Sequence, residues 1–263
     1  MAGEHCKQLR VGLGDGAETT VHVARFERSR FTVSVVAMRP PAPLLSWCPE
    51  NGIEHAIVGG FFIRTDGTPL GELWLGGVRQ PTQAFDPPWH ATRACLHRDG
   101  EVLTLAARHE IAREPAGDLL QAGPMLVRAG AALSEAPTDS EGFSAGSHQF
   151  DSDITAGRYP RAALGLSGEH LIAVVCDGRS DEDAGMSLAE LARTMVNLGA
   201  REAINLDGGG SASLIVSGSL INSPRERHGL ALAGGRPVST ALAFCPAEPQ
   251  LSLTSPWGIR GGR

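Results

Sequence analysis

The stretch INLDGGGSASLIV, residues 204–216, sets one carboxylate, Asp207, between an apolar run and three glycines, Gly208, Gly209 and Gly210, with Ser211 close behind. Glycines after a strand end let the backbone approach a ligand and turn its N–H groups toward it, which suits an anion or a sugar hydroxyl. The same residues also read as a tight hairpin with Asp207 as its turn former. A second carboxylate, Asp177, closes the apolar run LIAVVC. Arg161 in YPRAALG, Arg179 in CDGRS and Arg236 in GGRPVS each stand beside a glycine or a proline. Guanidinium forks match phosphate oxygens bidentately, and a charge-assisted hydrogen bond contributes roughly 1.5–3 kcal/mol. For any one arginine a surface salt bridge is the plainer reading. Three in comparable settings favour an anion site.

The elements that must position these groups are most legible in the last hundred residues. RAALGLSGEHLIAVVCDGR reads as a strand pair turning near Ser167 and Gly168. Leu188, Leu191, Ala192, Met195 and Val196 then recur at helical spacing, Ser187 and Glu190 make a capping box, and Gly199 stands where a helix end wants a left-handed residue. EAINLD follows as a strand. A strand, helix and strand in this order form a crossover unit, and parallel strands would bring Asp177 and Asp207 out at the same sheet edge, where open α/β sheets hold ligands. SASLIVSGSLIN predicts a hairpin around Gly218, and GGRPVSTALAFCP carries the last strand.

Earlier in the chain, TTVHVARF and RFTVSVVAMRP alternate as half-buried strands do, until Pro40, Pro41 and Pro43 break the run. HAIVGGFF is a buried strand ending on Gly59 and Gly60, DPPWH a rigid loop, CLHRDGEVLTLAAR a hairpin at Asp99 and Gly100, and AGPMLVRAG a short strand. Residues 131–157 are polar and rich in glycine and serine, predicting a long surface loop that could border a site. The 263 residues show no repeat and no compositional boundary, so one domain, 1–263, is expected. Its class is α/β (α+β): a mixed, largely β-sheet core with a few flanking helices and the site at the strand ends.

Several functions are disfavoured by composition. A net charge of −6 offers no cationic face for a general nucleic-acid binder. The five cysteines are scattered, odd in number and without a C-x-x-C pair, so they read as reduced thiols. The first twenty residues lack the apolar core of a secretion signal and no apolar run is long enough for a membrane span, which predicts a cytoplasmic location with no membrane partner. The nine histidines lack any metal-binding spacing, and Asp181, Glu182 and Asp183, which could hold a divalent cation, read more plainly as a solvated loop. With three arginines supplying positive charge, no cofactor and no metal is expected. VGLGDG lacks the Lys-Ser/Thr pair of a nucleotide loop, and Ser211 lacks a partnered base. Oligomeric state is not readable.

Taken in order, GGFF, AGPMLV, RYPRAALG, VVCDGR, INLDGGGSAS and GGRPVSTAL resemble the phosphodiester glycosidase family over roughly residues 50–245, most sharply in the series D-G-R, N-L-D-G-G-G-S, R-P-V-S. The resemblance implies hydrolysis of a sugar C1–O bond whose leaving group is a phosphate ester, releasing free sugar and a phosphomonoester. Its residues map onto Gly59, Gly60 and Phe61; Arg161; Asp177 and Arg179; Asn205, Asp207, Gly208, Gly209, Gly210 and Ser211; and Arg236. This chain departs from the family at Val58, Tyr159 and Thr240, where members often carry Asn, His and Asn, so the sugar specificity is left open. A phosphate ester leaves as a stabilised anion and needs less general-acid help than an ordinary aglycone. Arg161, Arg179 and Arg236 are therefore expected to bind the phosphate, and Asp177 or Asp207 to act as nucleophile or as base for water. Glu72 is a spare acid, more plainly an exposed strand residue. The expected partner is a small phosphorylated sugar, a soluble intracellular metabolite of carbohydrate biosynthesis. A phosphodiesterase breaking P–O and a non-catalytic phosphosugar-binding module are the alternatives.

Overall fold

The computed structural model describes residues 6–133, 140–142 and 157–247. Three sheets make the domain. The largest has seven strands in the order β1 (Cys6–Gly12), β2 (Glu18–Glu27), β13 (His170–Cys176), β12 (Arg161–Leu166), β14 (Glu202–Asn205), β10 (Met125–Arg128) and β11 (Ala131–Ala132). A second runs β16 (Ser219–Leu220), β15 (Leu214–Val216), β4 (Ala56–Val58), β17 (Val238–Pro246), β3 (Phe31–Ala42). The third runs β6 (Val78–Arg79), β5 (Leu73–Leu75), β9 (Asp118–Gln121), β7 (Ala94–Asp99), β8 (Val102–Ala107). All pairings between these strands are antiparallel; the parallel contact among the described residues is an isolated bridge, Leu70 to Gln83.

The central strands of the large sheet are buried on both faces, because their alternate residues feed different cores. Ala24, Phe26, Ala162, Leu164, Ala173 and Val175 face one core, which they share with Val35, Ile57 and Leu242 of the second sheet and Leu96 and Leu120 of the third. Val21, Val23, Ala163, Ile172 and Val174 face the other, under helix α3 (Leu188–Asn197) and its Leu191, Ala192 and Met195. The capping box forms as the sequence requires: Ser187 Oγ accepts from the Glu190 N–H at 3.3 Å while a Glu190 carboxylate oxygen accepts from the Ser187 N–H at 2.9 Å. Gly199 closes the helix at φ 84°. Gly165 opens the slot for Met195, since a Cβ there would lie 2.5 Å from the Met195 methyl.

The crossover unit forms, with one strand inside it. β12 is antiparallel to both β13 and β14, so those two strands point the same way across it. The pairs Arg161–Cys176 and Ala163–Asn205 then bring the residues after both strands to one sheet edge. Two expectations are corrected. The prolines do not end β3, which runs on through Pro40 and Pro41 to Ala42 because its edge position needs no ladder donor there. Two short helices, α1 (Leu44–Glu50) and α2 (Trp89–Thr92), occupy stretches without helical periodicity, the second beginning within the DPPWH loop and running past it. Most of the polar stretch 131–157 lies outside the described residues. Within it, Glu141 accepts from the Ala94 and Met125 N–H groups, both at 2.8 Å.

Candidate active site

The edge that collects Asp177 and Asp207 meets the end of β4 from the second sheet. The Asp207 N–H donates to the Gly59 carbonyl at 3.0 Å, and the Gly209 N–H to the Pro160 carbonyl at 2.8 Å. Gly59 is glycine because a Cβ there would lie 2.6 Å from Thr240 Oγ1 and 2.9 Å from the Thr240 carbonyl carbon. Thr240 Oγ1 in turn accepts from the Gly60 N–H at 2.9 Å. Two glycine-ended strands from different sheets are thus pressed together, and Asp207 sits at their junction.

The glycine triplet has a specific use at Gly210. A Cβ there would lie 2.8 Å from Arg236 Nη2 and 3.1 Å from Glu226 Oε1. The bare backbone is the floor on which an ion pair lies: Arg236 Nε donates to Glu226 Oε1 at 2.8 Å, with Nη2 on the same oxygen. Arg236 Nη1 also reaches Ser211 Oγ at 3.3 Å. Ser211 lowers the proton affinity of the Asp207 carboxylate, as does the Arg236 charge, and Asp207 Oδ1 accepts from the Gly208 N–H at 2.8 Å. Asp207, Ser211, Arg236 and Glu226 therefore form one connected group, with Arg64 acting electrostatically on both carboxylates and Arg179 on Glu226.

The two carboxylates are pushed in opposite directions. Burial raises the Asp207 pKa above its ordinary value, against the lowering effects of Ser211, Arg236, the Gly208 N–H and Arg64. At Glu226 burial also raises, but the Arg236 hydrogen bonds and charge, with Arg64 and Arg179, outweigh it and hold the carboxyl below its ordinary value. Acids whose environments separate their proton affinities are the usual raw material of acid–base division of labour.

The other sequence-derived candidates are placed unevenly. Arg179 donates to the Arg225 carbonyl at 3.1 Å from a left-handed backbone, φ 63°. Arg161 is only 1% exposed and lies in the wall: Nε donates to the Met186 carbonyl and Nη2 to the Gly157 carbonyl, both at 3.0 Å. Burial lowers its pKa to about 10, so it stays cationic at neutral pH. The Tyr159 ring joins these two arginines, with centroid distances of 5.3 Å to Arg161 and 5.7 Å to Arg179. Phe61 is buried with Leu70 and Phe85, below Arg93. Asn205 Nδ2 donates to the Gly123 carbonyl at 3.1 Å, while its Oδ1 is buried without a hydrogen-bond partner among the described residues.

Asp177 reaches the expected edge, where each of its oxygens accepts one hydrogen bond. Oδ2 accepts from His22 Nε2 and Oδ1 from the Ser223 N–H, both at 2.8 Å. Glu72, just before β5, is bound by Trp74 Nε1 at 2.7 Å and by Arg108, just after β8, and belongs to a structural pair beside the third sheet. Asp183 accepts from Arg10 Nη1 at 2.7 Å and from the Thr20 N–H at 2.6 Å, so the acidic loop is fastened to β1 and β2. Among the described residues no group of three or more His, Cys, Asp or Glu side chains is placed to hold a metal ion, and no helix is long and apolar enough to cross a membrane. Sequence reasoning missed Glu226 and Arg64. The run RERHG carries no periodicity and reads as solvated charge, and Arg64 stands in an ordinary turn.

The fold and site define a sheet-built domain with a carboxylate and guanidinium cluster where glycine-ended strands of two sheets meet. The chain belongs to the phosphodiester glycosidase family, whose model matches residues 51–245. It is 28% identical over 243 residues to the N-acetylglucosamine-1-phosphodiester alpha-N-acetylglucosaminidase of Bos taurus, a match covering 86% of this chain and 45% of that protein. The chain thus spans about half the length of this curated relative. The zebrafish catalytic domain of the same name, solved auto-inhibited by its pro-peptide, superposes with a TM-score of 0.68 at 20% identity, covering 91% of this chain and 81% of that one. A hypothetical protein from Synechocystis superposes with a TM-score of 0.62 at 18% identity, covering 91% and 61%. At these identities the structural matches speak for the fold.

Proposed function

We propose that the protein hydrolyses the C1–O bond of a sugar phosphodiester, with water supplying the new oxygen at C1 and the phosphomonoester leaving with the old one. The observation that carries this reading is the Asp207–Ser211–Arg236–Glu226 group resting on Gly210. Arg236, Arg64 and Arg179 offer the phosphate its positive charge, and a phosphate oxygen at Arg236 competes with Glu226 for the guanidinium. The ionised Glu226 so released serves as base for water, or as nucleophile, against an oxocarbenium-like centre. Asp207, buried at the sheet junction beside Ser211 and Arg236, is assigned the proton transfer at the departing oxygen. Arg161 acts from the wall through Tyr159 and Arg179. Asp177, with both oxygens bonded, takes no chemical step. The name of the bovine relative supports a sugar-1-phosphodiester as substrate class, and we extend it here to a small soluble metabolite.

The test is hydrolysis of a panel of sugar-1-phosphodiesters in heavy-oxygen water, read by mass spectrometry. Label in the released sugar is expected. Label in the phosphate alone would replace the glycosidase with a phosphodiesterase. A rise in melting temperature with the panel but no product would leave a binding module.

A further inference from the structure

The segment that delivers Glu226 carries no regular secondary structure of its own, yet its course from Asn222 to Glu226 is fixed at nearly every step. Asn222 Oδ1 accepts from the Leu214 N–H at 3.0 Å and its Nδ2 donates to the Ala212 carbonyl at 2.8 Å. The Ser223 N–H donates to Asp177 Oδ1, and the Arg225 carbonyl accepts from Arg179 Nη1 at 3.1 Å. Both of these partners belong to the short D-G-R turn after β13. That turn is itself tightly held. The Asp177 N–H donates to the Thr20 carbonyl at 2.9 Å, and the Asp177 carbonyl accepts from Thr19 Oγ1 at 2.8 Å. Gly178 is pressed so closely that a Cβ would lie 2.9 Å from both the Pro160 nitrogen and the Gly185 Cα. His22 stands on β2 opposite Val175 of β13 and donates to the remaining Asp177 oxygen, Oδ2.

We infer that His22 and Asp177 are positioning residues for the reaction: a buried pair that clamps the Ser223 N–H and thereby sets where Glu226 meets Arg236. The inference rests on the reading above only in taking Glu226 as part of the chemistry. Glu226 lies three positions after Ser223, so at about 3.4 Å per residue the clamp holds Glu226 within about 10 Å of a fixed point in the large sheet. A buried carboxylate that accepts two hydrogen bonds suits this task, since leaving either donor unsatisfied costs more than making the bond gains. Releasing the clamp frees the segment between Asn222 and the Arg225 anchor. A displacement of about 1 Å at a reacting group is enough to cost roughly 10²-fold in rate.

The experiment compares Asp177→Asn, Asp177→Ala and His22→Ala by steady-state kinetics on the active phosphodiester and by amide hydrogen exchange over residues 222–230. Asparagine keeps an oxygen for the Ser223 N–H and turns its Nδ2 to His22, whose Nε2 accepts in the other tautomer. Asp177→Asn is therefore expected to keep kcat within about tenfold of wild type with exchange unchanged. Asp177→Ala should lose roughly 10²-fold in kcat, with smaller change in KM and faster exchange over 222–230. His22→Ala, which leaves the carboxylate in place, should move both readouts in the same direction and carries the comparison should Asp177→Ala not fold. Asp177→Asn as inactive as Asp177→Ala, with exchange at the wild-type rate, would make Asp177 a participant in the chemistry and overturn the inference. If the wild type turns over no phosphodiester, the functional reading fails by itself. Exchange then decides the clamp alone, and a wild-type rate in the alanine variants refutes it.

Discussion

Gly210→Ala separates the cost of folding from the cost of function. The added methyl would sit 2.8 Å from Arg236 Nη2 and 3.1 Å from Glu226 Oε1, with no backbone among its nearest atoms. Gly210 is not in the left-handed region, so alanine suits its conformation and stabilises by about 0.4–1 kcal/mol through the unfolded chain. Against this stands the tip of a flexible arginine moved by several tenths of an ångström. Its hydrogen bonds to a charged partner are worth about 1.5–3 kcal/mol when intact, and displacement forfeits only part of that. The two effects nearly offset, and the melting temperature should stay within a few degrees of wild type. Activity has no such offset. The methyl occupies the floor on which Arg236 and Glu226 lie, and a loss of roughly 10²-fold in kcat/KM, about 2.7 kcal/mol, is expected. The assay is kcat/KM on a sugar-1-phosphodiester beside a thermal melt, with Gly14→Ala as control because nothing lies within 4 Å of its Cβ position. A Gly210→Ala protein with wild-type kcat/KM would refute the placement of the ion pair at the reacting centre.

Other expectations follow from the same geometry. Gly59→Ala drives its methyl into the Thr240 carbonyl carbon and the Ala241 nitrogen, at 2.9 and 3.0 Å, which cannot swing away; a loss of about 1–3 kcal/mol should appear in denaturant melts. Asp207→Asn should lose kcat while retaining affinity for a non-hydrolysable phosphonate analogue, as calorimetry would read. The wild-type Asp207 has a folded pKa above its unfolded value, so its share of stability is present below the unfolded value, near 3.8, and is lost as pH rises through the folded pKa. Melting temperatures of Asp207→Asn should accordingly exceed those of wild type near pH 7 and the gap should close below about pH 4; a constant gap would contradict the burial argument. Activity should survive excess chelator, because the charge facing the phosphate comes from Arg236, Arg64 and Arg179; loss on chelation with rescue by calcium or magnesium would require a metal.

Much of the frame was legible because its signals are local. The Ser187–Glu190 cap, the hairpin at Asp99 and Gly100 and the turn at Gly218 each depend on residues within a few positions of one another. The family series located the D-G-G-G turn and Arg236 for the same reason. TTVHVARF, by contrast, forms the expected strand but is buried on both faces instead of one, because a second core lies under α3. Helix α1 was not legible: it is seven residues long and contains Pro49, so tertiary contacts through Leu44 and Cys48 override a weak propensity.

The sequence by itself determined which strands end on acids, where the helix between them starts and stops, and that glycines must line the turn after Asp207. Only the tertiary structure decided which acid stands with the arginines. Glu226 and Arg236 lie ten residues apart on an irregular loop, and Asp177 meets His22 across 155 positions. Such pairings are set by the packing of one sheet edge against another, a long-range property to which no spacing along the chain corresponds. The two carboxylates that look alike in the sequence, at the ends of β13 and β14, are thereby parted: one is tied to a histidine and a backbone amide, the other is left buried beside a serine and a guanidinium.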